Sequence, residues 1–126
     1  MSGYGRKGSL RFKFSVAWAG IMRLFKVERR NAYIHSAATV LVIIAGFAAR
    51  LGPMEWVALL VMVGLVWSLE LLNTALEILA DTIHPKEHPL IGAAKDSAAG
   101  AVLVASIMAV VVAVIIFGNR ILGGGG

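Results

Sequence analysis

Four polar residues, Glu70, Asn73, Glu77 and Asp81, interrupt or close a stretch that is otherwise apolar enough to cross a bilayer. At 100° per residue they stand at about 0°, −60°, −20° and 20° from Glu70, so a helix gathers all four on one narrow stripe. A carboxylate at membrane depth costs about 2.5–3.5 kcal/mol on insertion scales, and two within two turns require a partner, a cation or a water-filled cavity. Two such groups can divide labour when their surroundings separate their proton affinities: one holds a hard cation while the other accepts a proton. Glu77 and Asp81, lower in the stripe and closer to water, suit Mg2+, which takes one or two carboxylates together with phosphate oxygens and water. Glu70 lies deeper, within reach of a lipid hydroxyl, and Asn73 can orient either group by donating or accepting hydrogen bonds. Lys95 supplies a positive charge for a phosphate. Together these groups suggest phosphoryl transfer at the bilayer boundary, where catalysis is mostly positioning and charge stabilisation.

The rest of the composition places this stripe in a membrane. Of 126 residues, 59% are hydrophobic and 15% charged, with a mean hydropathy of +0.83. A soluble domain this small could not hide so much apolar surface. Cysteine is absent, so any metal must use oxygen or imidazole ligands. The net charge is +5, and eight of the twelve Lys and Arg residues precede residue 31, which marks that end as cytoplasmic by the positive-inside rule. The basic charge reads as topology, and no nucleic-acid partner is expected, because no solvated basic face with stacking aromatics remains to be built. A cleavable signal peptide is not expected either, since no small-residue site ends a short apolar core.

The fold expected is all-α and integral to the membrane. Residues 1–9, rich in Gly and Ser, read as disordered. Residues 10–30 form an amphipathic surface helix, with Leu10, Phe14, Ala17, Trp18, Ile21, Leu24 and Phe25 on one face and Arg23, Lys26 and Arg30 opposite. Three spans follow at residues 32–51, 55–80 and 98–117, each long enough for a hydrocarbon core of about 30 Å. Gly52-Pro53 makes the outer turn, Trp56 suits the outer interface, and residues 81–94, with Pro85 and Pro89, form a cytoplasmic loop. The stripe then runs down to the inner leaflet, where the basic helix and the loop also lie. Small residues from Ser97 to Ala101 favour close helix packing against a neighbour or another subunit, and Gly123 to Gly126 read as a flexible tail. Glu28, the single acidic residue before Glu55, breaks the surface-helix pattern. It is either a helix-end carboxylate paired to Arg29 or Arg30, or part of the site.

Other chemistry finds less support. No Gly-x4-Gly-Lys-Ser/Thr loop is present, which excludes a P-loop nucleotide site. His84 and His88 have i, i+4 spacing, but two prolines break the helix that would align them on zinc. His35 reads as a hydrogen-bonded interface residue, and Ser68 and Ser97 lack a nearby His to activate them.

The run Ser68-Leu-Glu70-Leu-Leu-Asn73-Thr74-Ala-Leu-Glu77, then Asp81, His88-Pro-Leu and Ala94-Lys95-Asp96-Ser-Ala-Ala-Gly100-Ala-Val-Leu103, resembles the small prokaryotic diacylglycerol kinase family. The likeness covers roughly residues 10 to 118 and is nearest the undecaprenol kinase branch. It implies a homotrimer with a surface helix and three spans per subunit, and active sites between subunits at the cytoplasmic face of the prokaryotic inner membrane. By the same resemblance Glu70 is the proton acceptor, supported by Asn73, and Glu77 is a magnesium ligand. Lys95, Asp96 and the loop residues Lys86, Glu87 and His88 contact ATP. A second metal carboxylate is expected eight residues after a glycine, which Gly20 and Glu28 satisfy, whereas counting back from His35 puts Arg29 in that register. Tyr33 stands where many members carry Arg or another polar residue.

The function expected is ATP- and Mg2+-dependent phosphorylation of a membrane lipid alcohol, undecaprenol first and diacylglycerol second. A small proton-coupled transporter, with Glu70 or Glu77 exchanging protons for cations, is the alternative of a different class. It leaves the clustering of Asn73, Asp81, Lys95 and Asp96 without a purpose and needs no nucleotide. Replacing Glu70 by Gln is expected to remove turnover while leaving nucleotide binding largely intact, as measured by phosphorylation and ATP-binding assays in detergent. Near-normal turnover would refute the proton-acceptor role.

Overall fold

Each helix boundary falls where the backbone has a local reason to turn. The computed structural model describes residues 8–123, which form α1 (Leu10–Val27), α2 (Arg29–Ala48), α3 (Pro53–Ile83) and α4 (Pro89–Leu122). Residues 1–7 of the segment expected to be disordered, and 124–126 of the glycine tail, lie outside the described residues. Among the described residues all regular structure is helical, and α2, α3 and α4 are each long and apolar enough to cross a membrane.

Glu28 joins the first two helices. With φ −107° and ψ 50° it leaves the helical region. Its N–H donates to the Leu24 carbonyl at 2.9 Å, and its own carbonyl accepts from the Ala32 N–H at 2.9 Å. One residue thus closes α1 and opens α2, so the first helix stops at Val27 instead of residue 30 and the second begins at Arg29 instead of 32. Among the described residues no ion pair links Glu28 to Arg29 or Arg30, which removes the helix-end pairing as an account of this carboxylate.

The turn after α2 uses Arg50, whose φ of 55° makes it the one non-glycine residue in the left-handed region among those described. The N–H groups of Arg50 and Leu51 then reach back to the carbonyls of Phe47 and Gly46, each at 3.2 Å. Pro53 starts α3, where its missing N–H costs nothing, and the Gly52 N–H donates to Glu55 Oε1 at 3.2 Å. Glu55 also pairs with Arg120 near the end of α4, clasping the antiparallel α3–α4 hairpin at this end. Leu51, Leu59 and Ile116 are buried beside the clasp, with Val42, Trp56, Val112 and Phe117 packed around them. Trp56, expected at the membrane interface, lies 4.9 Å from Phe47 between ring centroids and covers Gly46 closely.

At the other end the connection is shorter than the sequence suggests. Residues 81–83 continue α3 and residues 89–94 already belong to α4, leaving only 84–88 outside helices. The reason is the position of Pro89. At the first turn a proline preorganises a helix instead of breaking it, and the preceding His88 caps it by accepting the Leu90 N–H on Nδ1 at 3.1 Å. Lys95 and Asp96 therefore stand on a formed helix. At 31 and 34 residues, α3 and α4 are about 46 and 51 Å long at 1.5 Å per residue, well beyond a hydrocarbon core of about 30 Å.

Large apolar side chains such as Leu41, Ile44, Leu60, Val61, Val104 and Val114 point outward, as lipid-facing helices require. α1 lies against the site half of α3, with Leu24 buried and Phe25 stacked on Trp67 at 6.0 Å between ring centroids. A Cβ on Gly46 would meet the Trp56 ring at 2.5 Å, whereas one on Gly64 would meet nothing within 4 Å. Gly46→Ala is expected to destabilise the fold by about 1–3 kcal/mol through overpacking, lowering the melting temperature in detergent, with Gly64→Ala as the unaffected control.

Candidate active site

α3 carries the site residues in a depth gradient. Glu70 is 2% exposed, Asn73 and Thr74 are buried, Glu77 is half-buried and Asp81 is exposed. The helical stripe thus exists, but its upper half is enclosed by protein. Glu70 Oε2 stands 3.4 Å from His35 Nε2 on α2. Glu70 Oε1, Asn73 Oδ1 and Thr74 Oγ1 are buried and have no hydrogen-bond partner within the chain. Three neighbouring orphaned acceptors are costly unless something else satisfies them, since a buried polar group without a partner costs about 1–3 kcal/mol. The Glu70 and Asn73 oxygens can only accept, whereas the Thr74 hydroxyl can also donate, and none of the three is satisfied within the chain.

Below them, Glu28 and Glu77 come together from different elements. They are close enough for each to feel the other's charge, with the charges of Lys95 and Asp81 also near Glu77. Asn31 Nδ2 is 3.5 Å from Glu28 Oε2. Two carboxylates side by side repel, and a hard cation between them removes that cost while leaving room for phosphate oxygens and water. The pair therefore fits a magnesium ion. Among the described residues no three His, Asp or Glu groups gather into a metal site.

The linker builds the next part. A polar cleft of about 610 Å³ is lined by Asp81, Lys86, Glu87, His88, Lys95 and Asp96, together with residues of the two prolines' turn. All five residues that the family resemblance assigns to ATP thus share one cavity. Within it Lys95 Nζ donates to Asp81 Oδ1 at 2.8 Å. His84 Nδ1 lies 2.7 Å from the Lys86 carbonyl and His88 Nδ1 is used in the helix cap, so neither histidine offers that nitrogen to zinc. A second groove of about 620 Å³, mostly apolar, runs between α1 and α3 past Ala17, Gly20, Ile21, Leu71, Thr74 and Ile78.

Two residues of this arrangement escape the sequence. Thr74 is marked only in the structure: Thr39, Ser68 and Thr82 each donate to the carbonyl four residues back at 2.7 Å, and Thr74, beside Asn73, does not. His35, read as an interface residue, instead sits half-buried against Glu70, and no spacing rule connects positions so far apart.

Comparison with known proteins identifies the family. The sequence profile of the prokaryotic diacylglycerol kinase family matches residues 15–117. The chain is 43% identical over 104 residues to an undecaprenol kinase of Bacillus subtilis, covering 82% of this chain and 84% of that one. It is 44% identical over 105 residues to a diacylglycerol kinase of Synechocystis, covering 82% of this chain and 59% of the relative. The buried carboxylate, the paired carboxylates beneath it and the polar cleft all lie within the matched region, and the chain belongs to the prokaryotic diacylglycerol kinase family, a membrane-embedded family of lipid kinases.

Proposed function

We propose that this chain phosphorylates the hydroxyl of a membrane lipid alcohol with ATP and Mg2+, and that the alcohol is undecaprenol. The observation that carries the reading is the bare, buried Oε1 of Glu70, flanked by the unpartnered Asn73 and Thr74 oxygens, on the same helix as the paired carboxylate Glu77. Undecaprenol is favoured over diacylglycerol because the undecaprenol kinase relative is matched over 84% of its length, against 59% for the diacylglycerol kinase.

In this reading the lipid hydroxyl lies against Glu70, its chain in the apolar groove between α1 and α3. The hydroxyl oxygen attacks the terminal phosphorus of ATP, the bond from that phosphorus to the β,γ-bridging oxygen breaks, ADP leaves, and the hydroxyl proton passes to Glu70 Oε1. Asn73 orients the hydroxyl through its side-chain amide. Lys95 faces the phosphates with its ammonium, and Asp96, Lys86, Glu87 and His88 line the cleft that takes the nucleotide. Glu28 and Glu77 would hold Mg2+, which when bound would supply positive charge against the transferring phosphoryl group. α1 lies in the headgroup layer, the basic N-terminal region and the site are cytoplasmic, and the chain works as a homotrimer. The run of small residues from Ser97 to Ala101 would let a helix of another subunit approach closely.

Presented side by side with undecaprenol and diacylglycerol in detergent, the protein is expected to move labelled terminal phosphate from ATP to undecaprenol in preference. Labelling of neither lipid overturns the kinase reading, and a preference for diacylglycerol overturns the substrate. The metal has an independent test. At a tenfold excess over its Kd, Mg2+ is expected to stabilise the wild-type protein by about 1.4 kcal/mol, read as a raised melting temperature without nucleotide. Glu77→Gln is expected to lose both that shift and Mg2+-dependent turnover, and an equal shift in both proteins would remove Glu77 from the metal site.

A further inference from the structure

His35 stands out among the groups that the proposed reaction leaves unused. Its Nε2 is 3.4 Å from Glu70 Oε2, across the gap between α2 and α3, and it contacts the oxygen opposite the bare one. The imidazole is itself held from several sides. Trp67 sets its ring edge-on to His35, with centroids 6.0 Å apart and planes at 62°. The Trp67 indole N–H donates to Thr39 Oγ1 at 3.0 Å, and the Thr39 hydroxyl donates to the His35 carbonyl at 2.7 Å. Phe25 of α1 stacks on the far side of Trp67. Three helices thus fix one imidazole beside one carboxylate. Such an arrangement is more than is needed to fill space, since an aliphatic side chain would do that among Ala38, Val66 and their neighbours without a polar atom to satisfy.

We propose that His35 is a positioning residue for Glu70. Its Nε2, 3.4 Å from Oε2, packs against that side of the carboxylate and limits its rotamers, so that Oε1 is the oxygen left without a partner in the chain. The inference rests on the lipid kinase reading and adds to it the group that sets the proton acceptor's orientation. A carboxylate free to rotate in a buried site would offer either oxygen, and proton transfer from a held hydroxyl is sensitive to displacements of about 1 Å. Holding one oxygen removes that freedom while the imidazole itself takes no proton from the substrate.

The test compares His35→Gln with His35→Leu in the full chain, assayed in detergent with ATP, Mg2+ and undecaprenol. Gln reaches about as far as the imidazole Nε2 and keeps an N–H donor, whereas Leu keeps volume alone. The expectation is that kcat falls about tenfold or more in His35→Leu and no more than about threefold in His35→Gln. The KM for ATP and the melting temperature in detergent should match wild type in both. Equal losses in the two variants, a His35→Leu turnover within twofold of wild type, or a loss explained by a lowered melting temperature overturns the proposal. Failure of the parent reading looks different: the wild-type protein itself would phosphorylate no lipid alcohol, and the role of His35 would fall with it.

Discussion

A carboxylate taken out of water in the middle of an apolar helix is the constraint around which this molecule is organised. Isolated in hydrocarbon, Glu70 would be protonated or would draw water after it. Here it is enclosed at 2% exposure, with one oxygen against His35 and the other without a partner in the chain. The helix break at Glu28 brings a second carboxylate to Glu77 on the next two turns of the same stripe.

The α3–α4 hairpin separates stability from chemistry along its length. One end holds the Leu51, Leu59 and Ile116 cluster, the Gly46–Trp56 close approach and the Glu55–Arg120 clasp. The other holds almost no apolar core and gathers orphaned acceptors, like charges and an open polar cleft. Unsatisfied polar groups are tolerated where packing elsewhere keeps the backbone in place, which is the usual arrangement of a site built on rigid elements.

Legibility from sequence follows the range of the interactions involved. The stripe of Glu70, Asn73, Glu77 and Asp81 is a property of one helix, so the 3.6-residue period is enough to find it. The three apolar spans were equally plain from length and hydropathy, and the run from Ser68 to Leu103 was specific enough to point to the family. Pro89 misled because a proline begins a helix as readily as it ends one, and which of the two happens depends on the cap before it. The His35–Glu70 and Glu28–Glu77 contacts join different helices, and no spacing along the chain encodes them. Thr74 lay in plain view but looked like a neutral helix residue until its hydroxyl was seen to lack the carbonyl bond that Thr39 and Thr82 make.

The excess length of α3 and α4 has a consequence for access. Helices longer than a hydrocarbon core of about 30 Å by about 16 and 21 Å leave α3 and α4 length to spare for the polar cleft, which sits at the end of the hairpin opposite the Glu55–Arg120 clasp. In the proposed reaction a soluble nucleotide would come to that cleft from water and the lipid alcohol from the bilayer, so that neither reactant would have to leave its own phase to reach the other.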